Sequence, residues 1–314
     1  MAIIDSRGRL HGRLGNVVYR TVGNTSIVQT KPSKIRQTLS TKESAMEFGL
    51  ASNCGRILRE VFAAFACNSD GRMINRLNAA LLKCIKDSVL ERGERDLHDG
   101  NPGHLQGFQF NALSPLDKAL AVRPVCELEL GRIRVYLPEF KEYGQLQQLR
   151  YGRNCVLRMM VVAVNFRQNY YEYLSYKDIS IGRGETIPEQ HWEPDMALPA
   201  GSMVLVTLSL HYYGLKDVAG EAQSVNSREF GPAKIIGAYR MDEEVEAEGT
   251  QGEEPNRHPL SNYQGKDILD EIIRKRKKDK TYQAMLRRKE QEEISDSQTT
   301  ASKWPMGKVF YRKE

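Results

Sequence analysis

VLVTLSLHY, residues 204–212, is the stretch that decides how this chain folds. Val204, Val206, Leu208, Leu210 and Tyr212 occupy every second position, with Thr207, Ser209 and His211 between them. A period of two marks a β-strand, because successive side chains point to opposite faces. The same period recurs upstream in CELEL at 126–130 and IRVYL at 133–137. Residues 157–166 read as a longer, more buried strand, 171–181 are aromatic and rich in β-formers, and 235–241 close the series. Six or seven strands, joined by Gly, Pro and Asn loops with no βαβ alternation, predict an antiparallel immunoglobulin-like β-sandwich over residues 105–241. The whole chain is then of α+β class.

Before the strands the period becomes helical. Phe48, Ala51, Leu58, Val61, Phe62 and Phe65 recur on one face after Ser40-Thr41-Lys42-Glu43, which has the form of a capping box. Asn68-Ser69-Asp70-Gly71 interrupts the pattern, and Ile74, Leu77, Leu81, Cys84, Ile85 and Val89 resume it. Residues 41–100 are therefore expected to form a helical pair.

The first 40 residues form a basic arm, read from GRLGNVVYRTVGNTSIVQTKPSK at 12–34. Val17, Val18 and Tyr19 precede Gly23-Asn24, a dipeptide suited to a tight turn, and Ile27-Val28 follow. Lys31-Pro32 ends the pairing, since proline offers no N–H. An isolated hairpin is marginal in water, so Val17, Tyr19, Ile27 and Val28 are expected to meet a partner surface.

Residues 242–314 read as a tail. Residues 242–254 carry seven acids and no base, and with 255–265 they bury too little to order themselves. Residues 266–293 suit a helix, but its apolar residues form two islands. The first is Ile268, Leu269, Ile272 and Ile273; the second is Tyr282, Met285 and Leu286. Between and after the islands, 274–289 hold nine bases against one acid, Asp279. Arg274, Lys275, Arg276, Lys277, Lys278, Arg287 and Arg288 are the candidate nucleic-acid contacts, which would act by counterion release. At the end, Trp304, Val309, Phe310 and Tyr311 form an aromatic cluster suited to adding a strand to a sheet edge of a partner.

The chain has 314 residues and a net charge of +6, and residues 1–40 hold seven Lys and Arg against Asp5 alone. Charge segregated in this way suits interaction arms. Five cysteines with no C-x-x-C pair argue against a disulfide framework or a zinc ribbon, and Cys54, Cys67 and Cys84 read as core residues. No apolar run suits a signal peptide or a membrane span, so a cytoplasmic site of synthesis is expected.

The catalytic inventory is thin. His98-Asp99 and His104 have no standard metal-ligand spacing, and their Gly, Asn and Pro neighbours mark a connector. His191-Trp192-Glu193 with Asp195 offers acid–base groups, but Trp192 reads better as a loop anchor. Ser180-Ile181-Gly182-Arg183-Gly184-Glu185 lacks the lysine and the helix of a phosphate loop. No G-x-S-x-G or H-E-x-x-H occurs. The expectation is no catalytic residue, no metal and no cofactor.

One resemblance bears on the arm. Gly12-x-x-Gly15-Asn16-Val17-Val18-Tyr19, then Val28-x-x-Lys31-Pro32, then Ser44-Ala45-x-x-Phe48-Gly49-x-Ala51-Ser52 and Arg56-x-Leu58-Arg59, is similar to a group of uncharacterised bacterial and phage-associated proteins. Members open with this hairpin and a helix. The likeness covers residues 8–65 and implies a recurring docking or assembly module, with no catalytic residue to carry over. The function expected is a non-enzymatic structural or adaptor subunit, docking on other protein subunits through extended arms, in a virion or another assembled particle. The alternatives are a nucleic-acid-associated protein and, more weakly, an enzyme.

Overall fold

The computed structural model describes residues 2–31, 37–66, 68–147, 154–216, 222–242, 256–279, 283–284 and 287–288. Its contacts divide the chain into two compact units, Met1–Lys42 and Glu43–Glu314.

The first unit is a four-stranded antiparallel meander of β1 (Ala2–Ile4), β2 (Leu10–Leu14), β3 (Val17–Val22) and β4 (Thr25–Thr30), in that order. The expected hairpin is its second half. Tyr19 lies opposite Val28 and Val22 opposite Thr25, which leaves Gly23-Asn24 as the turn. Leu14 lies opposite Val17, so an identical dipeptide, Gly15-Asn16, turns β2 into β3. Both glycines sit at φ +60, where a Cβ would be strained. Asp5 shapes the remaining turn: its Oδ1 accepts the N–H groups of Arg7 and Arg9, each at 2.9 Å. The arm thus has two strands more than the hairpin expected.

Helix α1 (Leu39–Val61) starts one residue before Ser40. Thr38 Oγ1 accepts the N–H of Thr41 at 3.2 Å, so the hydroxyl at the helix start belongs to Thr38. Glu43, expected in a capping box, turns inward instead. Leu50, Ala51, Cys54, Ile57, Leu58 and Val61 are buried, while Phe48 is 53% exposed. At 100° per residue Phe48 stands about 120° round from Cys54, beyond the buried stripe. Helix α2 (Met73–Lys86) buries Met73, Leu77, Leu81, Cys84 and Ile85, whereas Ile74 and Val89 face solvent.

A six-stranded antiparallel sheet forms the centre of the second unit. It comprises β8 (Asn154–Asn165), β9 (Tyr170–Ile181), β12 (Met203–Lys216), β13 (Ala222–Ser224), β14 (Ala233–Arg240) and β15 (Arg257–Pro259). The order is β13-β12-β8-β9-β15, with β14 also paired to β12. Val162, Val164, Met203, Leu205 and Ile235 share one core with the helices. On the other face, Leu157, Met159, Val161, Val204, Val206, Leu208 and Leu210 share a core with smaller sheets.

Those smaller sheets are β11-β6-β5, from β5 (Val125–Glu129), β6 (Arg132–Leu137) and β11 (Gln190–Trp192), and the pair β7 (Phe140–Lys141) with β10 (Thr186–Ile187). Single helical turns α3 (Leu116–Ala119) and α4 (Glu142–Gln145) complete that layer. Helices, large sheet and small sheets therefore stack in three layers. The antiparallel sheets expected over residues 105–241 are present, large and small sheets sharing a core in the manner of a β-sandwich, and helices cover the other face of the large sheet. Coverage on both faces explains why β8 and β12 carry aliphatic residues on both faces, since each fully buried aliphatic side chain contributes about 1.5–3 kcal/mol. Residues 255–265 were expected to bury too little to order, yet β15 pairs with β9 and Leu260 is buried; helix α5 (Gly265–Lys278) follows, with Ile272 in its buried face.

Candidate functional site

The register of the arm sorts its side chains onto two faces. Ile4, Leu10, Leu14, Val17, Tyr19 and Val28 share one face with Ala2, Gly12, Thr21, Ser26 and Thr30. That face holds no charged residue. Ile4 is 65%, Leu14 61% and Val28 60% exposed. The opposite face carries Arg13, Arg20 and His11 beside Ile3, Val18, Val22 and Ile27. Of the four partner residues expected in the arm, the fold brings Val17, Tyr19 and Val28 together and sends Ile27 to the other side. The sequence signal for the full apolar face was the alternation of Leu10, Gly12 and Leu14, which a single-hairpin reading leaves out.

Two features of the edge strand β4 follow from its sequence, TSIVQT. None of its six residues is charged, and among the described residues its backbone pairs with β3 alone. Folded proteins usually guard such an edge with a charge, a proline or a bulge.

The basic run on α5 is split by the fold. Arg276 is buried, with Nε donating to Glu43 Oε1 at 2.7 Å and Nη1 to Glu94 Oε1 at 2.5 Å, and Nη2 donating to the carbonyl of Arg92. Gly93 lies against this guanidinium, 3.0 Å from where its own Cβ would stand. Lys275 pairs with Glu271 at 2.6 Å, one turn earlier. Arg274, Lys277, Lys278, Arg287 and Arg288 are exposed. Arg276 therefore leaves the set of candidate nucleic-acid contacts, because a buried, paired guanidinium cannot reach a phosphate. Trp304, Val309, Phe310 and Tyr311 lie outside the described residues, as do Cys67 and residues 243–255.

The other motifs resolve into local structure. His104 Nε2 lies 2.9 Å from Asp87 Oδ2, and Asp99 takes two bonds from Arg167 at 2.8 and 2.7 Å. The three residues weighed as metal ligands thus do not converge, and no metal-holding group of His, Cys, Asp and Glu exists among the described residues. Trp192 packs partly buried against the core on β11, while Glu193 binds Arg134 at 2.7 Å. In the glycine loop after β9, the N–H of Gly182 donates to Glu185 and that of Gly184 to Glu142, so carboxylates fill the place of a phosphate. Burial pushes the thiols of Cys54, Cys84 and Cys155 up to about 12 and that of Cys126 to about 11, away from nucleophilic chemistry.

One polar cluster went unread as a site. Along the helix-facing side of the large sheet, rows pass from Leu205 and Val162 to Thr207 and Met160, then to Ser209, Arg158 and Asp178. Arg158 holds Asp178 by two bonds, at 2.8 and 2.6 Å. Ser209 Oγ lies 2.8 Å from His211 Nε2, and the ring of Phe65 stands edge-on to His211 at 6.4 Å. Burial, then the Arg158 charge, hold the His211 imidazole below its ordinary value, so it is neutral near pH 7. Beside this row, Val61, Ala64, Phe65, Met160, Tyr173 and Tyr176 line a groove of about 460 Å³. Ser209 is fully enclosed, so its hydroxyl serves the His211 bond and is closed to a substrate.

Comparison with protein-family models, curated proteins and solved structures finds no match. No helix among the described residues is long and apolar enough to cross a membrane.

Proposed function

We propose that this chain is a non-enzymatic structural or adaptor subunit that joins a larger assembly, such as a virion or comparable particle, through its amino-terminal arm. The observation that carries the reading is the uncharged face of Ile4, Leu10, Leu14, Val17, Tyr19 and Val28 on a compact sheet of its own. Covering an exposed Ile, Leu or Val contributes up to about 1.5–3 kcal/mol, so this face stabilises a contact of useful strength. Sedimentation of the full chain against a chain lacking residues 2–31 tests it. Loss of a discrete higher-order species on deletion is the expected result; an unchanged distribution refutes it.

A second reading, attraction to nucleic acid, is supported by the exposed Arg274, Lys277 and Lys278 on one helix. It takes second place because the same helix commits Arg276 and Lys275 to carboxylates within the protein.

A further inference from the structure

We infer that two copies of this chain join through β4, pairing antiparallel about a two-fold axis to make one eight-stranded sheet. The inference rests on the arm being an assembly device and names its partner as a second copy of the arm. Three observations support it.

First, among the described residues β4 is the unpaired long edge of the arm sheet. The opposite edge, β1, has three residues, whereas β4 offers six, about 20 Å of backbone at the usual rise of a strand. Second, TSIVQT has neither proline nor bulge, and its register against β3 runs unbroken from Val17–Thr30 to Val22–Thr25. An extended, even edge is a template for another strand.

The third observation is the placing of charge. Residues 2–31 hold Arg7, Arg9, Arg13, Arg20 and Lys31 against Asp5, so two arms repel wherever their bases meet. None of those bases lies on β4. With strands about 4.8 Å apart, pairing β4 with its copy leaves the two Arg20 residues about 14 Å apart and the two β2 strands farther still. Both distances exceed the Debye length of about 8 Å at physiological salt. Lys31 follows β4 at one end, and antiparallel pairing sends its two copies to opposite ends of the seam. Each lies toward the other copy's Asn24, whose Oδ1 accepts from Arg9 Nη2 at 2.7 Å, so bases approach at the ends of the seam and not along it. A two-fold axis normal to the sheet also sets both apolar faces on the same side, doubling the uncharged surface that a neighbouring subunit can cover.

Charge at Thr25 and Gln29 tests the seam. Both are exposed residues of β4 on the face opposite Leu14 and Val17, so stacking through that face is untouched. In the full chain, Thr25→Lys/Gln29→Lys and Thr25→Glu/Gln29→Glu each place like charges across the seam. Each variant alone should self-associate at least tenfold more weakly in sedimentation, while an equimolar mixture of the two should regain wild-type association. Circular dichroism and the melting temperature should match wild type, as neither position is buried. Self-association of wild-type strength in both variants overturns the β4 seam and leaves the adaptor reading intact, with stacking through the Leu14–Val17 face as the replacement. Weakening in both without recovery on mixing overturns it equally. A wild-type chain that is monomeric at every concentration overturns both the seam and the adaptor reading.

Discussion

Arg276 on α5 donates from Nε to Oε1 of Glu43 on α1 at 2.7 Å, across 233 residues of sequence, and less than a tenth of either side chain is exposed. The pair joins the first residue of the larger unit to its last long helix. A buried ion pair of this kind stabilises only when both partners are present, because removing one strands the other without solvent.

Arg276→Met should therefore destabilise the chain by about 3–5 kcal/mol, and the double variant with Glu43→Leu should recover much of the loss. Chemical denaturation reads both values. A single variant as stable as wild type would show that solvent reaches Glu43.

Arg274, Lys277 and Lys278 face solvent and should behave differently. Replacing all three with Gln is expected to shift stability by less than about 0.5 kcal/mol. If the helix attracts nucleic acid, the same replacement lowers the slope of log affinity against log salt by about 2–3 on duplex DNA. An identical slope removes the electrostatic reading of the helix.

The pH dependence near neutrality should trace to His211. Its folded value lies below the unfolded one, so the native state binds the proton less readily. Stability is then full above the unfolded value of about 6.5 and falls as pH drops through it. Arg158 and Asp178 on neighbouring strands, Ser209 on its own strand and Phe65 after α1 surround the ring. Asp178, held low by Arg158, loses its own contribution only in more acid solution. Melting temperatures from pH 7.5 to 5 should decline in the wild type more steeply than in His211→Gln; parallel declines would assign the acid sensitivity elsewhere.

Gly100 offers a steric test. A Cβ there would stand 2.5 Å from the backbone oxygen of Cys84 at the end of α2, and Asn101 donates its N–H to that same oxygen at 3.1 Å. Backbone cannot swing aside as a side chain can. Gly100→Ala should cost about 1–3 kcal/mol in denaturation, while Gly107→Ser, with open space around it but φ +85, should cost less.

The strands of the larger unit were legible because alternation is a local property. Val204 to Tyr212 and Ile133 to Leu137 carry their own period, and both are strands. Strand β1 was illegible because AII is too short to show a period, and β2 was missed because its alternation of Leu10, Gly12 and Leu14 passes through a glycine. The second Gly-Asn turn, at 15–16, was nevertheless a readable sign of another strand pair. Phe48 and Ile74 show the limit of helical periodicity, which locates an apolar stripe but not its width, and Val89 lies past the end of α2. Arg276 was illegible in principle: within RKRKK nothing marks one base as the buried one, since its carboxylates lie at Glu43 and Glu94. The Arg158–Asp178 and Ser209–His211 pairs depend on strand register, which the sequence leaves open until the partners of β8 and β12 are known.

The order of strands in the arm also sets when it can form. Each of its pairings joins neighbours in the chain, with partners at most 13 positions apart, from Val17 to Thr30. The larger unit, by contrast, includes contacts such as Arg276 with Glu43 that close 233 residues of chain. Short closures form quickly and long ones late. At a synthesis rate of ~5–20 residues per second, the arm stands folded with its edge open for roughly 10–50 s before the body can close. The arm therefore reaches its fold through local contacts alone, while the body depends on contacts made across most of the chain.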